Sequence, residues 1–395
     1  MRVLQVHNRY ASSQPSGENA VVDDEATSLT AAGVEVLRYL RSSDEIATMS
    51  WTERLVLPLQ PLHGTVAVRD VRKAVQSGRP DIVHIHNTNP LISMSVVRTV
   101  RELGVPVVMT AHNYRHVCVA GTLRRNTEPC TSCRGRFLPW PAVVHGCYRS
   151  SRPQSLVAAT ALVAHRADYA RVSRFIAVSG SIGASLELAG VPASRITVKG
   201  NAVPDLPRGT VVGPGPWPPR FLYIGRFEEE KGVELLLEAW SLRPPRDGAV
   251  LAFAGSGSLE GDVQRFAAQR TDVEVLGRLD RAGVVEAMAQ ATAVLVPSIW
   301  DEPFGLVGVE AFRSGRPILT TAAGGLADVA RPAASWVVPP RAAAWAVALG
   351  ALDEAAALEK GRAARALYLA EFDPTSVTRQ LIDIYRSVLT SPDTA

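Results

Sequence analysis

The chain of 395 residues contains no run approaching about eighteen consecutive apolar residues, which argues against a membrane-spanning helix. Its opening stretch, MRVLQVHNRY, turns polar by His7 and lacks the apolar core of a signal peptide. It reads as a first strand, and the protein is expected in the cytoplasm, with a peripheral contact on the inner membrane face left open. No low-complexity tract interrupts the sequence. No Lys/Arg block occurs either: 42 basic and 38 acidic residues are scattered, with a net charge of +4. That balance fits an anionic small ligand or a membrane surface as readily as nucleic acid. Cysteine is scarce. There are four, all between Cys118 and Cys147, and in the cytoplasm they are expected to be reduced.

What is present suffices for two cores. Hydrophobic residues make up 47% and charged residues 20%, and the length suggests two domains. Short Val- and Ile-rich runs alternate with helical spacers. In the first half these runs lie at 2–7, 81–86, 105–112, 175–179 and 195–201; in the second half they lie at 220–226, 249–257, 273–277, 293–298, 317–321 and 336–339. Several lack polar alternation, as strands buried on both faces of a parallel sheet should. The spacers, 234–240 and 284–291 among them, have helical composition. This is the β-α-β rhythm of a doubly wound α/β sheet, repeated twice. Between the halves, GPGPWPP at 213–219 is too rich in Gly and Pro for helix or central strand and marks a linker. The tail at 373–389 reads as an amphipathic helix with Leu381, Ile382, Tyr385 and Leu389 near one face. The segment at 51–64 reads as a buried helix more readily than as a membrane contact.

Doubly wound sheets bind ligands beyond the carboxyl ends of their strands, and the polar residues of interest follow strands. Arg226 and Lys231 lie at a strand end and the start of the next helix, where two cations beside helix N–H groups suit a diphosphate. Gly17, after the first strand, lets backbone approach a phosphate. His112 ends another strand, placed to hydrogen-bond a sugar hydroxyl or a phosphate oxygen. In WDEPFGLVGVEAF, Glu302 lies before a helix whose first N–H groups come from Phe304, Gly305, Leu306 and Val307, and Glu310 lies early within it. Two carboxylates flanking one segment suggest acid and base in a glycosidase. Flanking backbone that can cradle phosphate, they fit better as two clamps on one ligand with a diphosphate in the middle.

The set Gly-Arg-x4-Lys-Gly, then Glu-Pro-Phe-Gly-Leu-x3-Glu-Ala, then Gly324–Gly325, resembles the retaining GT-B glycosyltransferases of family four; the first strand, the Gly17 loop and Ala-His-Asn extend the likeness through the N-terminal half. The resemblance implies two Rossmann-like domains facing each other across a cleft. Residues 1–205 would bind the acceptor and carry a Cys-rich insertion at 114–150. Residues 206–219 would link to a nucleotide-sugar domain at 220–372, and a helix at 373–395 would cross back to the first domain. It further implies that Glu310 binds the ribose, Glu302 contacts the donor sugar, Arg226 and Lys231 grip the diphosphate, and His112 lies against the transferred sugar. The donor would be a UDP- or GDP-sugar. The acceptor would be a glycan, a lipid-linked glycan or a small molecule, with no nucleic-acid partner and no cofactor for catalysis. This chain departs from the family in carrying Ser16–Gly17 for Gly-Gly, and Asp328 for the usual Glu.

The cysteines are spaced Cys118-x11-Cys130-x2-Cys133-x13-Cys147. One C-x2-C pair with two outlying cysteines suits a structural Zn²⁺ held by four thiolates, with His116 and His145 as substitutes. Free thiols or redox chemistry are the alternative. The insert follows His112, and Arg124, Arg125, Arg134 and Arg136 could serve an anionic or lipid-linked acceptor; a stapled loop with a solvated basic face is the alternative reading. A sugar-nucleotide-binding scaffold whose zinc loop recruits partners is the second functional reading.

Overall fold

A computed structural model describes residues 1–13, 16–126, 128–207, 210, 212–213, 215–244 and 248–391. The chain forms two units, one running from Met1 to Ala202 and resuming at Val377, the other spanning Val203–Ser376.

The first unit holds β1 (Arg2–Arg9), β2 (Glu35–Ser42), β3 (Ile82–Ile85), β4 (Val107–Ala111), a two-residue hairpin of β5 (Arg124–Arg125) and β6 (Glu128–Pro129), β7 (Arg174–Ala177) and β8 (Ile196–Val198). Its main sheet is ordered β2-β1-β3-β4-β7-β8, and every neighbouring pair is parallel. The central strands β3 and β4 are buried throughout, which is why they read as unbroken apolar runs. β2 is the strand that the sequence pattern passes over. It lies at the sheet edge and is buried at none of its positions, so Glu35, Arg38 and Arg41 interrupt its apolar character without cost.

The C-terminal helix, Pro374–Leu389, packs on this sheet. Leu381, Ile384, Tyr385 and Val388 join Val3, Leu29, Ile82, Val108 and Ile176 in one buried cluster. This corrects the expected stripe: Ile384 and Val388 are buried, whereas Ile382 is only partly so and Leu389 is 38% exposed. The buried face follows a spacing of three and four residues, which leaves positions 382 and 389 at its margin. The segment at 51–64 is also corrected. It forms a short helix, Trp51–Val56, and a 3-10 turn, Leu57–Leu59, with Trp51 74% and Leu55 68% exposed. No helix of the described residues is long and apolar enough to cross a membrane.

The second unit holds β9 (Arg220–Ile224), β10 (Val250–Ala254), β11 (Val273–Gly277), β12 (Ala293–Val296), β13 (Ile318–Thr320) and β14 (Ser335–Val337). They form a parallel sheet ordered β11-β10-β9-β12-β13-β14. Phe221, Phe253, Trp240 and Trp345 fill its core. Of the expected linker, residues 208, 209, 211 and 214 lie outside the described residues. The carbonyls of Gly213 and Pro216 are held by Arg316 and Thr292, so this stretch packs on the second unit. In both sheets the order of strand addition reverses beside the first strand, between β1 and β3 and between β9 and β12. These switch points open a crevice at the strands' carboxyl ends.

Candidate active site

In the second unit the candidate residues follow β9 and β12, the strands on either side of the switch point. A 3-10 turn, Glu229–Lys231, carries Lys231 to the start of the helix Val233–Leu242. Gly232 joins the two at φ +73°, and a Cβ there would stand 2.0 Å from the Pro297 carbonyl oxygen. Glycine is the residue that permits this approach, and it seats the Lys231 turn against the end of β12. Lys231 Nζ donates to Glu302 Oε1 at 2.5 Å, and Ser298 Oγ donates to the same oxygen at 2.7 Å. The ammonium also lies 5.2 Å from the centre of the Trp300 ring. Burial alone would raise the Glu302 pKa. The Lys231 charge, with hydrogen bonds from Lys231 and Ser298, outweighs burial and holds the carboxyl below its ordinary range.

Arg226 has different surroundings. Its side chain is 61% exposed and pairs with Glu230 at 3.1 Å. The two expected cations therefore belong to separate ion pairs, and the Arg226 pair is of the exposed kind that a phosphate can readily displace.

Backbone fixes the rest of the loop after β12. The Gly325 N–H donates to the Glu302 carbonyl, and Gly324 bridges to Glu302 in parallel. Gly305 opens the helix Leu306–Arg313 from φ +100°, where a Cβ would stand 2.8 Å from Leu326 Cγ. Phe304 is buried against Phe372. Leu306 and Val307 form the first turn, whose N–H groups have no intrahelical acceptor. Glu310 is the fifth of the helix's eight residues. Burial pushes its pKa up, against the charges of Arg313 and Arg281.

In the first unit Gly17 opens the helix Gly17–Ala31, with the Ser16 hydroxyl accepting the Glu18 N–H at 3.2 Å. His112 follows β4, and its Nε2 lies 3.0 Å from His86 Nδ1. Behind it stands a polar group that the sequence reading missed. His84 lies in β3 and His86 directly follows it, two residues on in extended chain, so the two share a face. Glu25 Oε1 is 3.3 Å from both His84 Nδ1 and His86 Nε2, and Lys199 Nζ is 4.0 Å from Glu25 Oε2. Burial, reinforced by neighbouring imidazoles, lowers the His86 pKa to about 4 and holds His112 well below the ordinary range. Both rings are neutral at physiological pH. The signal in the sequence was the His-x-His of DIVHIH, polar residues inside a run that is otherwise apolar.

Glu18, at the start of the same helix, is pushed up from 4.5 to about 7 by burial, against the Arg115 charge and a hydrogen bond from Tyr10. A carboxyl raised in this way holds its proton in the folded chain while the unfolded chain has lost it. Its stabilising contribution is complete below pH 4.5 and declines as pH rises to about 7. Wild-type Tm is therefore expected to fall relative to Glu18→Gln across that window; parallel melting curves at every pH would contradict the assignment.

Cys118, Cys130, Cys133 and Cys147 are free and partly exposed. Burial first, and then the neighbouring thiols, raises the pKa of Cys133 and Cys147, so the four lie within electrostatic reach of one another. Among the described residues, however, only Glu25, His84 and His86 form a group of three such ligands within 4.8 Å. Beside the cysteine loop runs a groove in the first unit, lined by Cys133, Arg136, Phe137, Arg166, Phe175 and Arg195 among others.

Residues 16–202 match the family described as Glycosyl transferase 4-like domain, and residues 214–364 match Glycosyl transferases group 1. The chain is 28% identical over 321 residues to a glycogen synthase of Mycobacterium tuberculosis, covering 78% of this chain and 69% of that one. It is 26% identical to the phosphatidyl-myo-inositol mannosyltransferase of Mycobacterium leprae, covering 97% and 96%. Its fold is similar to sucrose-phosphate synthase of Thermosynechococcus elongatus, at TM-score 0.70 and 19% identity over 98% of each chain. It is also similar to Anabaena HepE, solved in complex with UDP, at TM-score 0.65 and 17% identity over 98% of this chain and 100% of that one.

Proposed function

The chain is a glycosyltransferase of the GT-B fold, and from that premise we propose that it moves a sugar from a nucleoside-diphosphate sugar to an acceptor hydroxyl with retention of anomeric configuration. The observation that carries this reading is the half-buried Lys231–Glu302 pair, set by β9 and β12 beside the first turn of Leu306–Arg313. Cleavage of the anomeric C–O bond leaves charge on the departing diphosphate. Lys231, Arg226 and the N–H groups of Gly305, Leu306 and Val307 stabilise that charge, so no metal ion is assigned a part in the step. The acceptor oxygen bonds to the anomeric carbon from the face the phosphate leaves, and its proton passes to the departing phosphate oxygen. Glu302 orients the sugar, Glu310 holds the ribose and His112, neutral, hydrogen-bonds the transferred sugar.

The second unit is the donor domain in this reading and the first the acceptor domain. HepE carries UDP, which supports a UDP-sugar, with GDP-sugars as the runner-up. The arginine-lined groove beside the cysteine loop favours an anionic or lipid-linked glycan over a small neutral acceptor. Exposed Trp51, Leu55 and Leu59 support peripheral contact with a membrane face. A binding scaffold without turnover is less well supported, because Lys231 and Glu302 are paired beside the helix start where a leaving diphosphate would lie.

A thermal-shift screen over nucleoside diphosphates and their sugars tests the donor assignment. Binding at a hundred times Kd adds about 2.7 kcal/mol of stability, so the correct diphosphate is expected to raise Tm clearly. No shift with any of them would contradict the site. For the cysteine loop we propose a structural Zn²⁺ held by Cys118, Cys130, Cys133 and Cys147. Replacing Cys130 and Cys133 by serine is expected to remove one zinc per chain and lower Tm; unchanged zinc content would reject the site.

A further inference from the structure

We propose that Glu25, His84 and His86 form a binding site for a divalent transition-metal ion of the zinc class, in the first unit and separate from the cysteine loop. The ligand atoms would be Glu25 Oε1, His84 Nδ1 and His86 Nε2, which all lie within 4.8 Å of one another. Glu25 Oε1 stands 3.3 Å from each of the two nitrogens. Two ligands bound at about 2.0–2.1 Å in tetrahedral geometry are separated by roughly this distance. Yet Glu25 Oε1 is buried and makes no hydrogen bond of good geometry. An oxygen placed equally between two ring nitrogens is arranged as one corner of a coordination triangle.

The far side of each ring supplies an independent observation. His84 turns its other nitrogen, Nε2, to the Thr110 hydroxyl at 2.8 Å. His86 turns its other nitrogen, Nδ1, to His112 Nε2 at 3.0 Å. Metal-bound histidines characteristically donate their second N–H to such a partner, which fixes the tautomer that leaves the lone pair facing the ion. Two imidazoles and one carboxylate are a ligand set suited to Zn²⁺ and its neighbours rather than to Mg²⁺ or Ca²⁺. The remaining position would fall to water or to the Tyr385 hydroxyl, which lies 2.7 Å from His84 Nδ1. Lys199 approaches the other carboxylate oxygen, Oε2, and so leaves the triangle open.

Such an ion would fix the His86 ring and, through Nδ1, the ring of His112. It would also join three parts of the first unit: the helix Gly17–Ala31, strand β3 and, through Tyr385, the C-terminal helix.

The test uses the full chain. Crystals soaked in zinc chloride, with diffraction data at the zinc absorption edge, are expected to show an anomalous peak about 2.0–2.2 Å from the three atoms. In parallel, chelator-stripped wild type is titrated with zinc chloride alone. His86→Asn and Glu25→Gln are each expected to bind one zinc fewer per chain, or to bind it at least tenfold more weakly. Cys130→Ser/Cys133→Ser is expected to keep this zinc. An edge data set with no peak among the three residues overturns the proposal, whether or not the variants fold. Wild-type zinc stoichiometry and affinity in folded His86→Asn also overturns it.

Discussion

Replacing Lys231 by alanine is expected to lower kcat for sugar transfer by at least about a hundredfold. The size follows from removing one preorganised donor aimed at charge that develops in the transition state, which costs about 3 kcal/mol. The substitution also leaves the Glu302 carboxylate buried without a cation, so it destabilises the fold by up to about 3 kcal/mol. The two effects separate in the double variant. Adding Glu302→Gln removes the unpaired charge and is expected to restore most of the stability while transfer stays low. Arg226→Ala provides the contrast. Its side chain is 61% exposed and its ion pair weak, so the melting temperature should hold while transfer falls. If Lys231→Ala retained near-normal turnover, the leaving group would be stabilised elsewhere.

Gly232→Ala is expected to lower stability and transfer together in the second unit. At φ +73° an L-residue is strained by about 1–2 kcal/mol. The added methyl would also meet the Pro297 carbonyl oxygen at 2.0 Å, and backbone at a strand end cannot simply turn aside. A total of at least about 2 kcal/mol corresponds to a fall in Tm of roughly 4–8 °C for a unit of this size. The Lys231 turn must then move away from β12, so transfer should drop at least tenfold as well. Both are measured on one preparation, by thermal melting and by initial rates. A variant with wild-type Tm and wild-type rate would show that the close approach is not required.

The central strands were legible because burial on both faces leaves an unbroken apolar pattern. β2 was not, because an edge strand tolerates Arg38 and Arg41, and its pattern then resembles surface loop. The C-terminal helix was legible as amphipathic, but its buried stripe was misplaced. Ile384 and Val388 decide the face, and only the sheet beneath them shows it. The candidate residues of the second unit were picked out by their positions after β9 and β12. Sequence spacing could not show that Lys231 pairs with Glu302 while Arg226 pairs with Glu230, since these contacts depend on how Gly232 and Gly324–Gly325 fold the loops. The cluster of Glu25, His84 and His86 was missed because its members come from a helix and a strand far apart in the chain. A polar residue inside a buried strand was the one local sign of it.

Release of nucleoside diphosphate measures the site most directly. Wild-type protein incubated with the donor that stabilises it is expected to release diphosphate in step with product when a glycan acceptor is added. Lys231→Ala/Glu302→Gln, shown to be folded by its melting curve, is expected to release at least about a hundredfold less. Equal release from both proteins would contradict the assignment of leaving-group stabilisation to Lys231.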